Sequence, residues 1–229
     1  MGVNVSQNSR GWEIFNHIVL YFTIGCIFGT YWEEIMCIVR TLWQTGTFEW
    51  VSRRGLLYGP FSPVYGMGAV LIYLIFGTAF RKKAPSIPEC FIGGAVLGGV
   101  LEYVLSWAQE MLFGTISWDY SEKFLNINGR TTIPYMIVWG ALIVVFAHFV
   151  FPLIEKFYRS ITPRTMNIAC AVLGVFLALD IGISVLATAR QSMRRAGNTA
   201  DNALEVFLDK YYDDERMLKT YSNARTVQK

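Results

Sequence analysis

Five long apolar runs constrain the fold of this chain more than any other feature of its sequence. A membrane-spanning helix needs about 20 consecutive, mostly apolar residues to cross the hydrocarbon core of a bilayer. The 229-residue sequence has five runs close to or above that length, approximately residues 12–39, 63–80, 88–113, 133–151 and 166–189. Composition agrees, because 53% of the residues are hydrophobic and only 16% are charged. We therefore expect an all-α integral membrane protein with a five-helix transmembrane bundle over residues 1–190 and a polar tail over residues 191–229.

The sequence predicts no metal site, no cofactor and no nucleic-acid partner. The four cysteines lie in or beside apolar runs without CxxC spacing, which is typical of buried small side chains. His17 and His148 have no His, Cys or carboxylate at ligand spacing, so we interpret both as packing or interfacial residues. The net charge is +3, and no block of Lys and Arg resembles a nucleic-acid patch.

Five crossings place particular segments at the same face of the membrane. We call the side of the N-terminus face A and the opposite side face B. Face B then receives the connection 41–62, the connection 114–132 and the tail. Near the helix ends, face A has seven Lys and Arg residues and face B has eight, so the positive-inside rule does not assign the cytoplasmic face.

The two face-B connections resemble each other. They read FEWVSRRGLLYGPFSPVYG and ISWDYSEKFLNINGRTTIP. Each has a carboxylate beside Trp, then an Arg next to Gly, then a Pro that enters the following helix. A duplicated helical hairpin would explain both, although two short similarities leave this open. In the second connection, Asn128-Gly129 predicts a tight turn between two short strands at 125–127 and 131–133.

Acidic side chains within the apolar runs are candidates for function. A charge at a helix centre costs about 2.5 to 3.5 kcal/mol on insertion scales, so such residues usually face the bundle interior. The acids that fall between the midplane and face B, or near the face-B surface, are Glu33, Glu34, Glu102, Glu110 and Asp180. Small and polar residues recur every four positions in the third run, at Gly94, Gly98, Glu102, Ser106 and Glu110. The first and fifth runs have similar stripes, which predicts a polar chamber open to face B.

Two other interpretations of these charges remain open at this point. A buried Glu can be protonated or hydrogen-bonded and serve only helix packing. The face-B arginines Arg53, Arg54 and Arg130 can neutralise the acids, bind an anionic group with two parallel hydrogen bonds, or lie at the membrane interface.

Three segments carry a resemblance to a known family. The segments RGLLYGPFSPVYGMG (54–68), LEYVLSWAQEMLFG (101–114) and WDYSEKFLNINGR (118–130) together resemble the family Putative ABC-transporter type IV, also called CmpB. The resemblance covers roughly residues 15–155 and implies a multi-pass protein of the bacterial plasma membrane with a permease-like role. Its motif positions and the buried acids together give these candidate substrate-binding residues: Glu33, Glu34, Arg54, Tyr58, Glu102, Ser106, Glu110, Asp119, Asn126, Asn128, Arg130 and Asp180.

The same resemblance implies partners. The sequence has no GxxxxGK[ST] phosphate loop, so a separate ATPase chain would have to supply energy. Five helices are few for a complete transport path, which favours a homo-oligomer or a second membrane subunit.

Two further function classes stay open. In a membrane enzyme acting on a lipid or lipid-linked phosphate, Glu102, Glu110 and Asp119 would act as general acid and base, with Arg54 and Arg130 on the phosphate. In a scaffold or regulator, a partner would dock on the tail. We expect an amphipathic tail helix over about 199–221, whose acidic surplus favours protein contact over an anionic membrane.

Overall fold

Helices form the framework of the chain. A computed structural model describes residues 3–82, 85–222 and 225–226. The helices of this part are α1 (Val3–Thr45), α2 (Pro63–Lys82), α3 (Ile87–Phe113), α4 (Ile133–Val145), α5 (Phe151–Ser160), α6 (Pro163–Arg195), α7 (Ala203–Tyr211) and α8 (Asp214–Thr220). Its strands are β1 (Thr115–Ile116), β2 (Asn126–Ile127), β3 (Thr131–Thr132) and β4 (Arg225–Thr226).

Four helical stretches of the described residues are long and apolar enough to cross a bilayer, which confirms a helical membrane protein. They are Arg10–Thr45, Ile87–Phe113, Ile133–Ser160 and Pro163–Arg195. The apolar part of α2, Pro63–Ile75, is shorter than these four. The predicted count of five crossings is therefore not confirmed.

The stretch Ile133–Ser160 is one rod made of α4, a π-helical turn over Phe146–Val150, and α5. Pro152 explains the wider turn, because proline lacks a backbone N–H and its ring clashes with the carbonyl group four residues earlier. The predicted fourth run ended at residue 151. The helix instead continues to Ser160 and brings Glu155 into the bundle.

Two helical hairpins, α1–α2 and α3–α4, make up most of the bundle. Each hairpin packs closely because glycines of its first helix lie against large side chains of its second. A Cβ atom at Gly29 would overlap the Tyr65 ring, and one at Gly98 would overlap the Trp139 ring. Small residues at such crossings let helix backbones approach in a membrane, where no hydrophobic force drives helices together.

Helix α6 packs along α1. The side-chain amide of Asn16 donates to Asn167 Oδ1 at 2.6 Å, and both helices contribute to one buried core. That core consists of Val19, Cys26, Leu56, Phe61, Met166, Cys170 and Leu177. Since Leu56 and Phe61 belong to the connection between α1 and α2, this loop folds back onto the bundle.

The tail forms two short helices, so the single helix predicted over about 199–221 is not confirmed. Asn202 caps α7 by accepting from the Glu205 backbone N–H at 3.0 Å. Asp213 caps α8 by accepting from the Arg216 N–H at 2.8 Å. A new N-cap between the two segments ends the first helix and starts another, because capping side chains favour a helix start over a helix interior.

The tail is docked on the bundle through an apolar cluster and ion pairs. Leu208, Tyr212 and Met217 are buried against Leu57 and Ala187. Strand β4 also pairs antiparallel with β1, which follows α3 directly. The tail and the connections after α1 and α3 therefore meet at one end of the bundle.

That docking surface carries charged contacts as well. Arg190 has a side chain only 2% exposed and is bonded through Nη2 to Asp209 Oδ2 at 2.7 Å. Arg194 Nη1 lies 2.6 Å from Asp209 Oδ1, and its Nη2 lies 2.9 Å from Asp214 Oδ1. These arginines of α6 hold both tail helices.

Candidate functional site

The buried polar groups of the two hairpins converge around Glu102 of α3. Its Oε2 accepts from Thr131 Oγ1 at 2.8 Å, and its Oε1 accepts from the Tyr120 hydroxyl at 3.3 Å. Trp139 donates to the same carboxylate. Glu102 is 7% exposed, and no lysine or arginine is bonded to it among the described residues. This carboxyl group is thus surrounded by neutral donors.

Glu33 of α1 lies close enough to Glu102 for their charges to interact. It accepts a hydrogen bond from the Tyr65 hydroxyl and is attracted by the Arg53 guanidinium. Its neighbour Glu34 is 5% exposed and accepts from the Arg53 backbone N–H at 3.3 Å. We call the group Glu33, Tyr65, Glu102, Tyr120, Thr131 and Trp139 the acid cluster.

A short β-hairpin delivers the loop donors to Glu102. Strands β2 and β3 pair antiparallel around Asn128-Gly129, which confirms the predicted turn. Asn128 has φ 51° and Gly129 has φ 67°, and a left-handed backbone at both positions favours Asn followed by Gly. The backbone N–H of Tyr120 donates to Gly129 O at 2.7 Å, so the turn also fixes this tyrosine.

Tyr120 lies outside the membrane-spanning stretches, and its hydroxyl is kept protonated. Burial, and then the negative charge of Glu102, raise the pKa of this phenol above its usual range. The hydroxyl is therefore a hydrogen-bond donor toward Glu102 at any neutral pH.

Arg130 contacts α3 at two residues, Ser106 and Glu110, which lie one and two helical turns beyond Glu102. Its Nη2 is 2.6 Å from Glu110 Oε2, and its Nη1 donates to Ser106 Oγ at 3.3 Å. Its guanidinium also lies 5.9 Å from the centre of the Tyr103 ring, whose hydroxyl accepts from Asn128 Nδ2 at 2.9 Å. The loop and the C-terminal end of α3 are thus joined by a partly buried ion pair.

Two candidate residues of this loop are engaged with the loop itself. Asp119 Oδ1 accepts from the Ser121 backbone N–H at 2.9 Å and from Ser121 Oγ at 2.6 Å. Asn126 donates to the carbonyl groups of Ser121 and Lys123, each at 3.0 Å. These contacts shape the turn that presents the acid cluster's donors.

Asp180 belongs to a second polar group, on α6. Its Oδ1 accepts from the Tyr58 backbone N–H at 3.2 Å and from Ser184 Oγ at 3.4 Å. Arg54 attracts this carboxyl group and donates to Thr220 Oγ1 of the tail at 3.5 Å. Asp180 and Arg54 therefore lie where the first connection meets α6 and the tail.

One buried polar group was missed from the sequence. His17 is 1% exposed, and its Nε2 lies 3.1 Å from Glu155 Oε1, which also accepts from the Tyr21 hydroxyl at 3.1 Å. Tyr73 and Tyr158 lie against the His17 ring, with ring centres 5.0 and 4.1 Å away. The partners come from three helices, so spacing along the chain could not reveal them. The only sequence signal for this group would have been a helical pattern that continues past Pro152 and so includes Glu155 in the fourth helix.

An apolar groove of about 120 Å³ lies between the two hairpins. All four helices α1–α4 contribute to its wall, and Tyr65 and Trp139 are among the lining residues. Their ring centres are 5.2 Å apart. Because the same two residues donate to Glu33 and Glu102, the groove ends at the acid cluster.

These features define a helical membrane protein made of two packed hairpins with buried acids between them. The chain belongs to the family described as Putative ABC-transporter type IV, whose family model matches residues 20–185. This confirms the resemblance, and the match extends past residue 155 into α6 and includes Asp180. No curated protein and no solved structure matches the chain.

Proposed function

We propose that the chain is a permease-like membrane subunit of an ABC-type transport system, and that the acid cluster binds a proton or a cationic group of the substrate. One observation carries this proposal: Glu102 is buried and, among the residues that the structure describes, is bonded only to neutral donors. It lies eleven residues before the end of α3, or about 16 Å along the helix axis. An acid kept so deep without a cationic partner is costly, which favours a functional role.

The proposed arrangement has five crossings and places the cluster in a polar chamber open to face B. With 20 residues, α2 is about 30 Å long, enough to span a hydrocarbon core. Contacts among the tail and the connections after α1 and α3 support five crossings, because that number places these three segments on one face. We place the protein in the bacterial cell membrane, as the family implies.

Partners follow from what transport requires. A separate ATPase chain would supply the energy, since the sequence has no phosphate-binding GxxxxGK[ST] loop. A second copy of the chain or another membrane subunit would complete the transport path.

The lipid-phosphate enzyme is less well supported than the permease. It needs Arg54 and Arg130 at one phosphate, whereas Arg130 is bonded to Glu110 and Arg54 lies beside Asp180 and the tail. Asp119, its third carboxylate, is bonded to Ser121. A scaffold role through a free tail is also less favoured, because the tail is docked on its own bundle.

The test combines affinity purification from native membranes with a substitution. We expect an ATPase chain to copurify with the protein. We also expect Glu102→Gln to lower ATP-driven transport in proteoliposomes by more than about tenfold, because losing a buried hydrogen bond to a charged group costs more than about 1.4 kcal/mol. Glu122→Gln, on the exposed part of the loop, serves as the control. Full transport by Glu102→Gln, or a native complex without any ATPase, contradicts the proposal.

A further inference from the structure

The groove between the hairpins adjoins the acid cluster, because Tyr65 and Trp139 belong to both. The surface of the groove is almost entirely apolar, and side chains such as Phe28, Leu97 and Leu101 line it. At one end, Tyr65 and Trp139 turn their polar atoms toward Glu33 and Glu102 while their rings remain in the groove wall. A ligand that filled this site would have an apolar body and a polar end.

The sign of the charge at the polar end follows from its ionisable groups. Four carboxyl groups and two guanidinium groups lie in or beside the cluster within the described residues, which leaves a formal excess of two negative charges, 4 − 2. They are Glu33, Glu34, Glu102, Glu110, Arg53 and Arg130. Arg130 is bonded to Glu110, and Arg53 lies by Glu33 and Glu34. Within the described residues, Glu102 is the acid of this group that has no arginine beside it, which makes it available to a cationic ligand.

Size limits the apolar part of that ligand. A volume of about 120 Å³ is roughly four times the share of one molecule in liquid water, which is about 30 Å³. A methylene group is of similar size, so the groove encloses a stretch of one alkyl chain and leaves no room for a second chain beside it.

We propose that this site binds an amphiphile with a cationic amine head and a single alkyl chain. The proposal rests on the permease function and names its substrate class. The ammonium group lies against Glu102, and the chain occupies the groove between α1–α2 and α3–α4. Because lipid tails are as apolar as the groove wall, polarity does not attract an alkyl chain into the groove, and the shape of the groove selects a single chain. The charge of the cluster selects the head, because a cation and a carboxylate attract strongly where water is scarce.

Two substitutions separate the chain from the head. Gly68 of α2 lines the groove, and a Cβ there would meet only Leu101 Cδ1, at 3.8 Å. The side chain of Gly68→Leu therefore enters the groove without displacing the backbone. Gly182→Leu is its matched control, because Gly182 lies on α6 and no described residue comes within 4 Å of an added Cβ. Glu102→Gln removes the charge at the head and keeps the size of the side chain.

The experiment measures binding of radiolabelled dodecylamine to the full chain in phosphatidylcholine nanodiscs, with empty nanodiscs subtracted. We expect saturable binding that unlabelled dodecylamine displaces, whereas dodecyl sulfate and methylamine do not. Both Gly68→Leu and Glu102→Gln lower the affinity by about tenfold or more, and Gly182→Leu leaves it within about twofold. Gly68→Ala, a smaller intrusion, gives an intermediate loss if Gly68→Leu fails to fold.

Other results overturn the proposal in identifiable ways. Equal displacement by dodecyl sulfate shows that the groove takes any bilayer chain, and unchanged binding by Gly68→Leu shows that the ligand lies elsewhere. If the wild type forms a dimer but binds no dodecylamine, and Gly68→Leu abolishes the dimer, the groove is a contact with a second copy of the chain. If transport needs Glu102 but dodecylamine does not bind, only the substrate class fails. If dodecylamine binds but Glu102→Gln transports normally, the permease function fails.

Discussion

The two hairpins of the bundle repeat one another in detail. The spacing Phe-x2-Gly-x3-Gly-x3-Glu occurs at residues 22–33 of α1 and again at residues 91–102 of α3. In each second helix an aromatic ring covers the second of these glycines, Tyr65 in α2 and Trp139 in α4. The same ring then donates to the glutamate that ends the pattern. Both packing and hydrogen bonding are thus duplicated, which strengthens the interpretation of a duplicated hairpin.

The duplication extends to the remaining close contacts. In α2 and α4, a glycine directly follows the aromatic residue. The residue four positions after the aromatic covers the first glycine of the pattern in the partner helix. The paired contacts are Gly25 with Ala69, Gly94 with Ile143, Gly66 with Phe22, and Gly140 with Phe91. Because α1 and α3 run toward the same end of the bundle, the hairpins form a parallel repeat, an arrangement known from transporters with sites at the repeat interface.

The difference between the two copies lies in what surrounds each acid. Glu33 has the charge of Arg53 nearby, whereas Glu102 has Thr131 and Tyr120 from its own connection. One acid is thus compensated by a cation and the other by neutral donors. A duplicated frame can thus hold two acids in different electrostatic states, and this difference is why we propose Glu102 as the group that contacts the ligand.

The largest effect is expected where the duplicated packing is disrupted. Gly29→Leu and Gly98→Leu each force a side chain into an aromatic ring, so we expect each to lower the free energy of unfolding by about 3 kcal/mol. Gly182→Leu, which meets nothing, changes it by about 0.5 kcal/mol or less. Unfolding of the purified variants in detergent measures this. Tolerance at one of the two glycines alone would show that the hairpins do not pack alike.

The next effect distinguishes the two acids. Glu33→Gln leaves only Glu34 to compensate the Arg53 charge beside the site, so we expect dodecylamine binding to fall by about tenfold, and the added substitution Arg53→Gln to restore it to within about threefold. We expect Glu102→Gln to lower binding by a similar factor and Arg53→Gln not to restore it, because in the proposed site Glu102 itself contacts the cation. The binding assay in nanodiscs reports both double variants. If Arg53→Gln restored dodecylamine binding in both the Glu33→Gln and the Glu102→Gln variants, the two acids would be equivalent.

Periodicity and composition were sufficient to predict the framework of this site. Apolar runs gave the membrane class, the four-residue stripe from Gly94 to Glu110 placed Glu102 toward the interior, and Asn128-Gly129 gave the turn. These predictions succeed because each depends on residues close together in one helix or one turn. The resemblance of the two connections also indicated a repeat, although the stronger pattern lay in the helices beside them.

Contacts between distant segments could not be read in the same way. Trp139 is an apolar side chain by composition, and only its packing on Gly98 brings its indole N–H to Glu102. His17 was interpreted as a packing residue, yet it lies beside Glu155 from a helix whose length was underestimated. The tail was predicted as one helix because the apolar spacing continues through Asp213, whose side chain caps a second helix.

A smaller effect tests the donors of each acid. Thr131→Val removes the hydroxyl 2.8 Å from Glu102 at nearly constant volume, and we expect it to lower the free energy of unfolding by about 1.5 kcal/mol. Tyr65→Phe removes the hydroxyl bonded to Glu33 and costs about 1 kcal/mol, because the charge of Arg53 still compensates that acid. Chemical denaturation of both variants measures the difference. A larger loss in Tyr65→Phe would reverse the assignment of Glu102 as the acid that depends on neutral donors.

The smallest effect concerns how each connection is closed. The tail packs over the first connection, whereas the second is closed by its own β-hairpin and pairs with the tail at strand β1. Hydrogen bonds from Arg190, followed by those from Arg194, lower the pKa of Asp209 from 3.8 to about 2. A carboxyl group with a lowered folded-state pKa stabilises the docked tail above pH 4, and this contribution is lost as the pH falls from about 4 to 2.

Pepsin, which is active in that range, is expected to cleave the tail at pH 2.5 severalfold faster than at pH 4.5, after correction with a peptide substrate. Asp209→Asn removes the charge and is expected to be cleaved at pH 4.5 nearly as fast as the wild type at pH 2.5, whereas cleavage between residues 120 and 132 stays slow in both. If pepsin at pH 2.5 cleaved the tail and residues 120–132 equally fast, acid would loosen the whole bundle, and the tail would not distinguish the two hairpins.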